Sequence, residues 1–196
     1  MRRKTFDAIL TAGGLVLAIL LLVAGGLLTW AHHFVSSEVH SQLAAEKIFI
    51  PAAGSPALAD PAVKPYLTQY GGQQLVTGAQ AKAYADHFIA VHLTEMTGGQ
   101  TYAQLSTKAQ ANPTDTKLAA TVNTVFKGET LRGLLLNAYA FDTMGRIAGI
   151  AAIASFAGAG VMILLSLLGL VHLRRTPSDA DVLVPGWHPE AAATKA

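Results

Sequence analysis

The sequence predicts an all-α membrane protein in which two transmembrane helices form a hairpin and an extracytoplasmic helical domain is inserted between them. Two apolar runs, residues 8–30 and 147–173, contain no Lys, Arg, Asp or Glu. The chain is 52% hydrophobic and 13% charged, and the apolar excess is concentrated in these two runs. Positive charge lies at the outer end of each run. Together these observations are typical of a two-span membrane protein.

The second run is long enough to cross a bilayer with residues to spare. Its 27 residues would form a helix about 40 Å long, whereas the hydrocarbon core of a bilayer is about 30 Å thick. We therefore expect this helix to tilt or to project beyond the bilayer.

The charged flanks of the two runs predict the topology. Arg2, Arg3 and Lys4 precede the first run and Arg174 and Arg175 follow the second, and together they outweigh Arg146 at the opposite end of the second run. Because Lys and Arg are enriched on the cytoplasmic side of membrane spans, residues 1–7 and 174–196 are predicted to be cytoplasmic, the latter as a disordered tail. Residues 31–146 then form the extracytoplasmic domain of a plasma-membrane protein.

A cleavable signal peptide is the alternative interpretation of the first run. The apolar core of a signal peptide has about 7–15 residues and ends at a small-residue cleavage site. Here the run has 23 residues and ends with Leu27, Leu28 and Trp30. These features favour an uncleaved anchor.

The central domain divides into a stalk, an irregular segment and three helices. Residues 31–49 contain no Pro or Gly and are predicted to continue the first helix as a stalk, whereas residues 50–76 contain four prolines and three glycines and are predicted to be irregular. T-x-x-Q capping boxes at Thr77 and Thr101 predict two helix starts. A third helix is predicted to start at Thr114 or Asp115 and to run into the second apolar run.

Apolar spacing predicts how these helices pack. The stalk and the segment before the second span are expected to pair as antiparallel extensions of the two spans, with the helix of residues 79–96 lying across them. Small residues in the spans favour close packing of the two spans on each other over an oligomer. The predicted packing residues are Val35, Val39, Leu43, Leu131, Leu134, Leu135, Ala138, Gly145 and Gly149.

Two groups of polar residues are candidate metal ligands. His33 and His40 share a stalk face, but they are seven residues apart, which is about 10 Å on a helix and too far to share an ion directly. His87, His92 and Glu95 lie on the following helix, where the alternative is a solvated face. We expect no metal and no other cofactor, and a mixed site would require the two groups to meet.

Charge and motifs exclude several functions. Residues 31–146 contain eight Lys and Arg against eight Asp and Glu, so no basic patch indicates a nucleic-acid partner. The chain contains no Cys, which excludes disulfides and thiolate sites. It also lacks the P-loop, Rossmann, nucleophile-elbow and H-E-x-x-H motifs, and neither run contains an internal ionisable residue of the kind that marks an ion pathway.

Three segments carry a resemblance to a known group of proteins. They are EVHSQLAAEKIFIPAAGSPAL, AKAYADHFIAVHL and FKGETLRGLLLNAYAFDTMGRIAG. In these segments the chain resembles a family of uncharacterised two-span membrane proteins of actinobacteria, which implies the same hairpin and external helical domain over nearly the whole chain. Relatives are sometimes labelled aromatic ring-opening dioxygenases. We do not expect that activity, because nothing in the sequence gives the ligands of an iron site a supporting fold.

The sequence therefore predicts a non-enzymatic accessory or scaffold subunit of a larger membrane assembly, such as a respiratory or cell-envelope complex. Its expected partners are the lipid bilayer and a protein in the membrane. Two alternatives remain open. One is an extracytoplasmic sensor or ligand-binding module, and the other is a membrane-tethered metal-dependent enzyme that uses the histidines.

Overall fold

The computed structural model describes residues 3–177, and this part of the chain is almost entirely helical. Its α-helices are α1 (Arg3–Ala45), α2 (Lys64–Leu67), α3 (Gly78–Tyr84), α4 (Ala90–Thr97), α5 (Tyr102–Ala111) and α6 (Thr116–Arg175). A π-helical turn, Ala85–Ile89, joins α3 to α4, and 3₁₀ turns occupy Pro56–Leu58 and Thr68–Tyr70. Among the described residues the only β pairing is one isolated bridge between Phe49 and Gln74.

The chain divides into two compact units. One unit, which we call the hairpin unit, is formed by the described parts of the segments Met1–Thr29 and Gly149–Ala196. The other, the central unit, is Trp30–Ala148. Helices α1 and α6 contribute residues to both units.

The hairpin unit contains the apolar parts of the two long helices. Both helices are long and apolar enough to cross a membrane, and in each only 17% of the most apolar window is buried. Exposed side chains include Ile19, Leu20 and Leu168, whereas the hydroxyl residues Thr11 and Ser166 are buried. A helix in the core of a soluble protein would be mostly buried, so this distribution differs from that of a soluble core.

Small residues allow close contact within the hairpin unit. A Cβ added at Gly14 would lie 2.5 Å from Oγ of Ser166, and one at Gly169 would lie 2.5 Å from Oγ1 of Thr11. A Cβ at Gly25 would lie 2.9 Å from the ring of Phe156. The helices therefore pack antiparallel with glycines facing larger side chains, which is a known use of small residues between apolar helices.

The main core of the central unit joins three helical segments. Val39 and Leu43 of α1, the inward face of α3–α4 and Val125 and Leu135 of α6 are buried together. The shared face of α3–α4 supplies Ala81, Ala85, Ile89 and Leu93. The stalk, the α3–α4 segment and the part of α6 before residue 148 therefore share one core within this unit.

A second, smaller core holds the irregular segment against α3–α4. Ile50, Leu58, Val63 and Leu67 are each 2% exposed or less, and they pack with Tyr84 and other residues of the helix. The prolines limit regular helix in this segment to α2 and two 3₁₀ turns. The irregular segment predicted at residues 50–76 is thus present, and it is packed rather than extended into solvent.

Local signals account for most helix ends. Thr77 and Thr101 each form a complete capping box with the glutamine three residues later. Asp115 caps α6 by accepting a hydrogen bond from the Leu118 N–H at 2.9 Å. Gly98 ends α4 with a left-handed φ of 59°.

One predicted boundary differs from the structure, and one predicted segment lies mostly outside the described residues. The stalk helix ends at Ala45 instead of residue 49, because Lys47 adopts φ 52° and Phe49 pairs with Gln74. The tail of residues 174–196 lies outside the described residues beyond position 177.

Candidate interaction groove

An apolar groove runs between the stalk part of α1 and the part of α6 that precedes residue 148. Its volume is 520 Å³. It extends from Phe34 on α1 to Glu46 in the turn directly after α1, a length of about 17–18 Å at about 1.5 Å per residue. The lining residues are Phe34, Val35, Glu38, Val39, Gln42, Leu43, Glu46, Leu131, Leu134, Leu135, Asn137, Ala138 and Phe141.

The groove lies on the outer side of the contact between the stalk and the segment before the second span, which we call the seam. Its floor is formed by Val39, Leu43 and Leu135, which are 7%, 5% and 2% exposed. Val35, Leu131 and Ala138 are half-buried and lie beside them. These six predicted packing residues therefore do meet.

The groove walls are not covered. Leu134 is 61% exposed, although the sequence predicts it as a packing residue, and Phe34 and Phe141 are 53% and 57% exposed. All three line the groove. Leu134 is displaced from the seam because its neighbour Leu135 occupies the inward position, and adjacent helical residues point about 100° apart.

Acidic and amide groups supply the polarity of the groove. Glu38 lies on α1 and Glu46 lies in the turn that directly follows α1, and Gln42 between them donates a hydrogen bond from Nε2 to Oε2 of Glu38 at 3.3 Å. Asn137 is the polar residue on the α6 side. Among the lining residues there is no Lys or Arg, and within residues 3–177 neither Glu38 nor Glu46 forms an ion pair. The charged side chains that line the groove are therefore both acidic.

Close contacts behind and beside the groove position its two helices. The Nδ1–H of His32 donates a hydrogen bond to the carbonyl oxygen of Gly145 at 2.7 Å. A Cβ at Gly145 would lie 3.1 Å from Val35, and one at Gly128 would lie 2.7 Å from Leu93. Gly128 and Gly145 thus permit the close approach of α4 and α1, and α6 is continuous through both glycines.

An ion cluster links α3 to α6 on another side of the central unit. Nζ of Lys82 lies 2.5 Å from Oδ2 of Asp86, and a guanidinium nitrogen of Arg132 lies 3.5 Å from Oδ1. The hydrogen bond from Lys82 holds the pKa of Asp86 below its usual value and raises the pKa of Lys82. Burial raises the pKa of Tyr84. The pKa shifts of Lys82, Asp86 and Tyr84 follow from this ion pairing and from burial, and none of these residues lines the groove.

The candidate metal ligands lie in separate surroundings. His33 and His40 are exposed on α1, while the His87 ring stacks on Tyr66 with centroids 3.4 Å apart. His92 donates from Nδ1 to the Phe88 carbonyl at 2.8 Å, and Glu95 is exposed. Within residues 3–177 no group of three or more His, Asp or Glu could hold a metal ion.

Glycines of the two apolar runs are not equivalent. Gly14 and Gly25 face the opposite helix, whereas a Cβ at Gly13, Gly26 or Gly160 would meet nothing within 4 Å. Gly145 and Gly149 are both predicted as small packing residues. A Cβ at Gly145 would contact Val35 within the central unit, and Gly149, in the hairpin unit, is half-buried.

Sequence reasoning missed two polar arrangements. Gln80 is 5% exposed, and in addition to its capping role it donates from Nε2 to Oε1 of Gln73 at 3.0 Å. In the hairpin unit Nε2 of His172 lies 3.6 Å from Oδ2 of Asp7. The capping box signals Gln80, but no sequence pattern pairs two residues 165 positions apart.

No protein-family model, curated protein or solved structure matches this chain. The resemblance to actinobacterial two-span proteins therefore stays a prediction from the sequence.

Proposed function

We propose that the chain is an integral membrane protein that acts as a non-enzymatic accessory or scaffold subunit of a larger membrane assembly. In this proposal the hairpin unit spans the membrane twice, both termini are cytoplasmic, and the central unit is extracytoplasmic. The partner protein docks in the groove between α1 and α6. The single observation that carries the proposal is the open apolar groove, whose walls Phe34, Leu134 and Phe141 are more than half exposed.

The distribution of polarity in the hairpin unit supports membrane insertion. Most of its exposed large apolar side chains are Leu, Ile and Val, while the hydroxyl residues Thr11 and Ser166 are buried. In water this arrangement would expose a large apolar surface, which soluble monomers rarely do. In lipid, apolar side chains face the acyl chains and small or hydroxyl residues face the neighbouring helix.

The form of the groove supports a protein partner. Ligand pockets usually enclose about 70–90% of a drug-sized molecule, whereas this groove is open along its length. An open apolar strip between two helices suits a convex partner such as a third helix. Exposed Leu and Phe side chains beside it would be covered by such a partner.

Purification from the natural host in mild detergent tests this proposal. We expect a stoichiometric protein partner with the wild-type chain and its loss with Leu134→Asp. Met96→Asp is the matched control, because Met96 is 46% exposed in the central unit but does not line the groove. Retention of the partner by Leu134→Asp, or a chain that purifies alone, would contradict docking in the groove.

An extracytoplasmic ligand-binding module is the second candidate. It is favoured by the groove volume of 520 Å³, which lies in the usual range of about 300–1,000 Å³ for ligand sites. This alternative predicts that the chain purifies without a partner protein but with a small apolar molecule. Native mass spectrometry distinguishes the two candidates, because a protein subunit and a small ligand differ greatly in mass.

A further inference from the structure

We propose that the occupant of the groove is an amphipathic helix of another protein whose apolar face is flanked by Lys or Arg. This inference rests on the proposed docking function and specifies the chemistry of the partner. It follows from the charge, the dimensions and the exposure of the groove.

The charge of the groove selects a cationic partner. Glu38 and Glu46 are the charged residues that line it, and both are exposed. They lie eight residues apart in the sequence, Glu38 on α1 and Glu46 in the turn that directly follows it. Two cationic side chains spaced along a facing helix would pair with these two carboxylates. A second copy of this chain docking groove to groove would instead bring four carboxylates together, which is unfavourable.

The dimensions of the groove select a helix of about three turns. Its length of about 17–18 Å corresponds to about 11–12 residues at about 1.5 Å per residue. Along that length the floor offers apolar contacts at Val39, Leu43 and Leu135. A partner with apolar residues at i, i+3, i+4 and i+7 would place them over this floor.

The exposure of the walls selects a partner larger than a small molecule. Phe34, Leu134 and Phe141 are 53–61% exposed at the edges of the groove. A lipophilic cation seated on the floor would leave these side chains in contact with solvent or lipid. A helix, which is about 10–12 Å in diameter with its side chains, offers more surface to cover these edge residues than a small molecule does.

Site-specific photo-crosslinking in the natural host tests the inference. The probe is a benzoylphenylalanine residue placed at position 134, which is exposed and lines the groove. The matched control places the same probe at position 124, which is exposed on α6 outside the groove. We expect a crosslink from position 134 alone, to a helical segment with Lys or Arg flanking its apolar residues.

Charge reversal then tests the role of the carboxylates. The double variant Glu38→Lys, Glu46→Lys should reduce the crosslink yield by at least about fivefold. Glu95→Lys, a reversal at an exposed residue outside the groove, should leave it unchanged. Reversal of the crosslinked Lys or Arg residues to Glu should restore the yield with the double variant. Circular dichroism checks that the variants keep their helical content.

The outcomes separate the inference from the proposed function. A protein crosslink that charge reversal does not affect, or that maps to a segment without Lys or Arg, overturns the basic helix but leaves docking intact. A crosslink to a second copy of the chain also overturns it. A crosslink to lipid or to a small molecule, or a yield at position 134 no higher than at position 124, overturns both proposals.

Discussion

Gly128 and Gly133 lie five residues apart on α6 and differ in what faces them. A Cβ at Gly128 would lie 2.7 Å from Leu93, whereas a Cβ at Gly133 would meet nothing within 4 Å. We expect Gly128→Val to lower the free energy of unfolding by about 1–3 kcal/mol, because it overpacks the core of the central unit. Thermal or denaturant unfolding of the purified protein measures this loss.

Gly133→Val is the matched control for that change. It introduces the same β-branched side chain into the same helix without a clash, and Val has a slightly higher helix propensity than Gly. Its unfolding free energy should stay within about 0.5 kcal/mol of the wild type. Equal effects of the two substitutions would mean that α4 does not pack on Gly128.

The pair of Lys82 and Asp86 predicts a small pH dependence of stability. The pKa of Asp86 is lowered in the folded chain, so its contribution is present above the pKa of an unperturbed Asp, about 3.8, and is lost as the pH falls through the depressed native pKa. Because Lys82 is 47% exposed and screened by solvent, Asp86→Asn should cost at most about 0.5 kcal/mol at pH 7.

Unfolding of wild type and Asp86→Asn between pH 2 and pH 7 checks this effect. The difference between them should shrink as the pH falls, while Glu95→Gln at an exposed position should change little at any pH. A difference that grows toward low pH would contradict the sign of the pKa shift.

The surroundings of single polar residues were the least predictable part of the sequence. Helical spacing places His92 and Glu95 on one helix face. It does not predict that Tyr66, from a different segment, stacks on the neighbouring His87. Helical periodicity also could not decide between Leu134 and Leu135, since both fit an apolar stripe. Their exposures of 61% and 2% depend on the rotation of α6 within the tertiary structure.

At the scale of single elements, the start of α3 depends on its capping box. The Thr77 side chain accepts from the Gln80 N–H at 3.2 Å, and Oε1 of Gln80 accepts from the Thr77 N–H at 3.1 Å. Thr77→Ala removes the first of these bonds and should cost about 0.5–2 kcal/mol. Urea unfolding measures this loss, and Thr77→Ser, which keeps the hydroxyl, should recover most of it.

The seam between α1 and α6 predicts opposite results for adjacent leucines. Leu135 is 2% exposed, so Leu135→Ala should lower the unfolding free energy by about 2–5 kcal/mol through lost burial and a cavity. Leu134 is 61% exposed, and Leu134→Ala should change it by no more than about 0.5 kcal/mol. Similar losses at both positions, measured by unfolding in detergent, would mean that the groove is closed in the isolated protein.

Elements were more predictable than residue environments, because their signals are local. The T-x-x-Q boxes, the glycine pair at Gly98 and the absence of Pro in α6 each specify a boundary or a continuous helix from a few neighbouring residues. The end of the stalk was predicted less well, since residues 31–50 contain no Pro or Gly. The helix ends earlier because Phe49 pairs with Gln74, a contact between segments that are distant in sequence.

For the whole molecule, the proposed topology is testable by cysteine labelling, because the chain has no native Cys. Ala57→Cys and Ala103→Cys, both at exposed positions of the central unit, should react with an impermeant thiol reagent on intact cells. Gly54 and Gly99 also lie in the central unit, but they are less suitable for cysteine substitution because their φ values of 84° and 80° disfavour a side chain.

Ser178→Cys, in the predicted cytoplasmic tail, is the matched control. It should react only after the cells are permeabilised. Labelling at Ser178 but not at the two alanines would reverse the proposed orientation, and labelling at none of the three in permeabilised cells would show that the reagent fails to reach them.

The glycine contacts of the hairpin unit have a consequence for the timing of biosynthesis. Thr11 and Gly14 contact Gly169 and Ser166, and the 119 residues of Trp30–Ala148 separate the two segments. At about 5–20 residues per second, a ribosome needs roughly 6–24 s to synthesise that interval. On the proposed topology, the first span waits in the lipid for this period before its partner emerges. During that wait the exposed Gly14 surface is open to competing helices, so membrane chaperones that shield single spans should influence the yield of the folded protein.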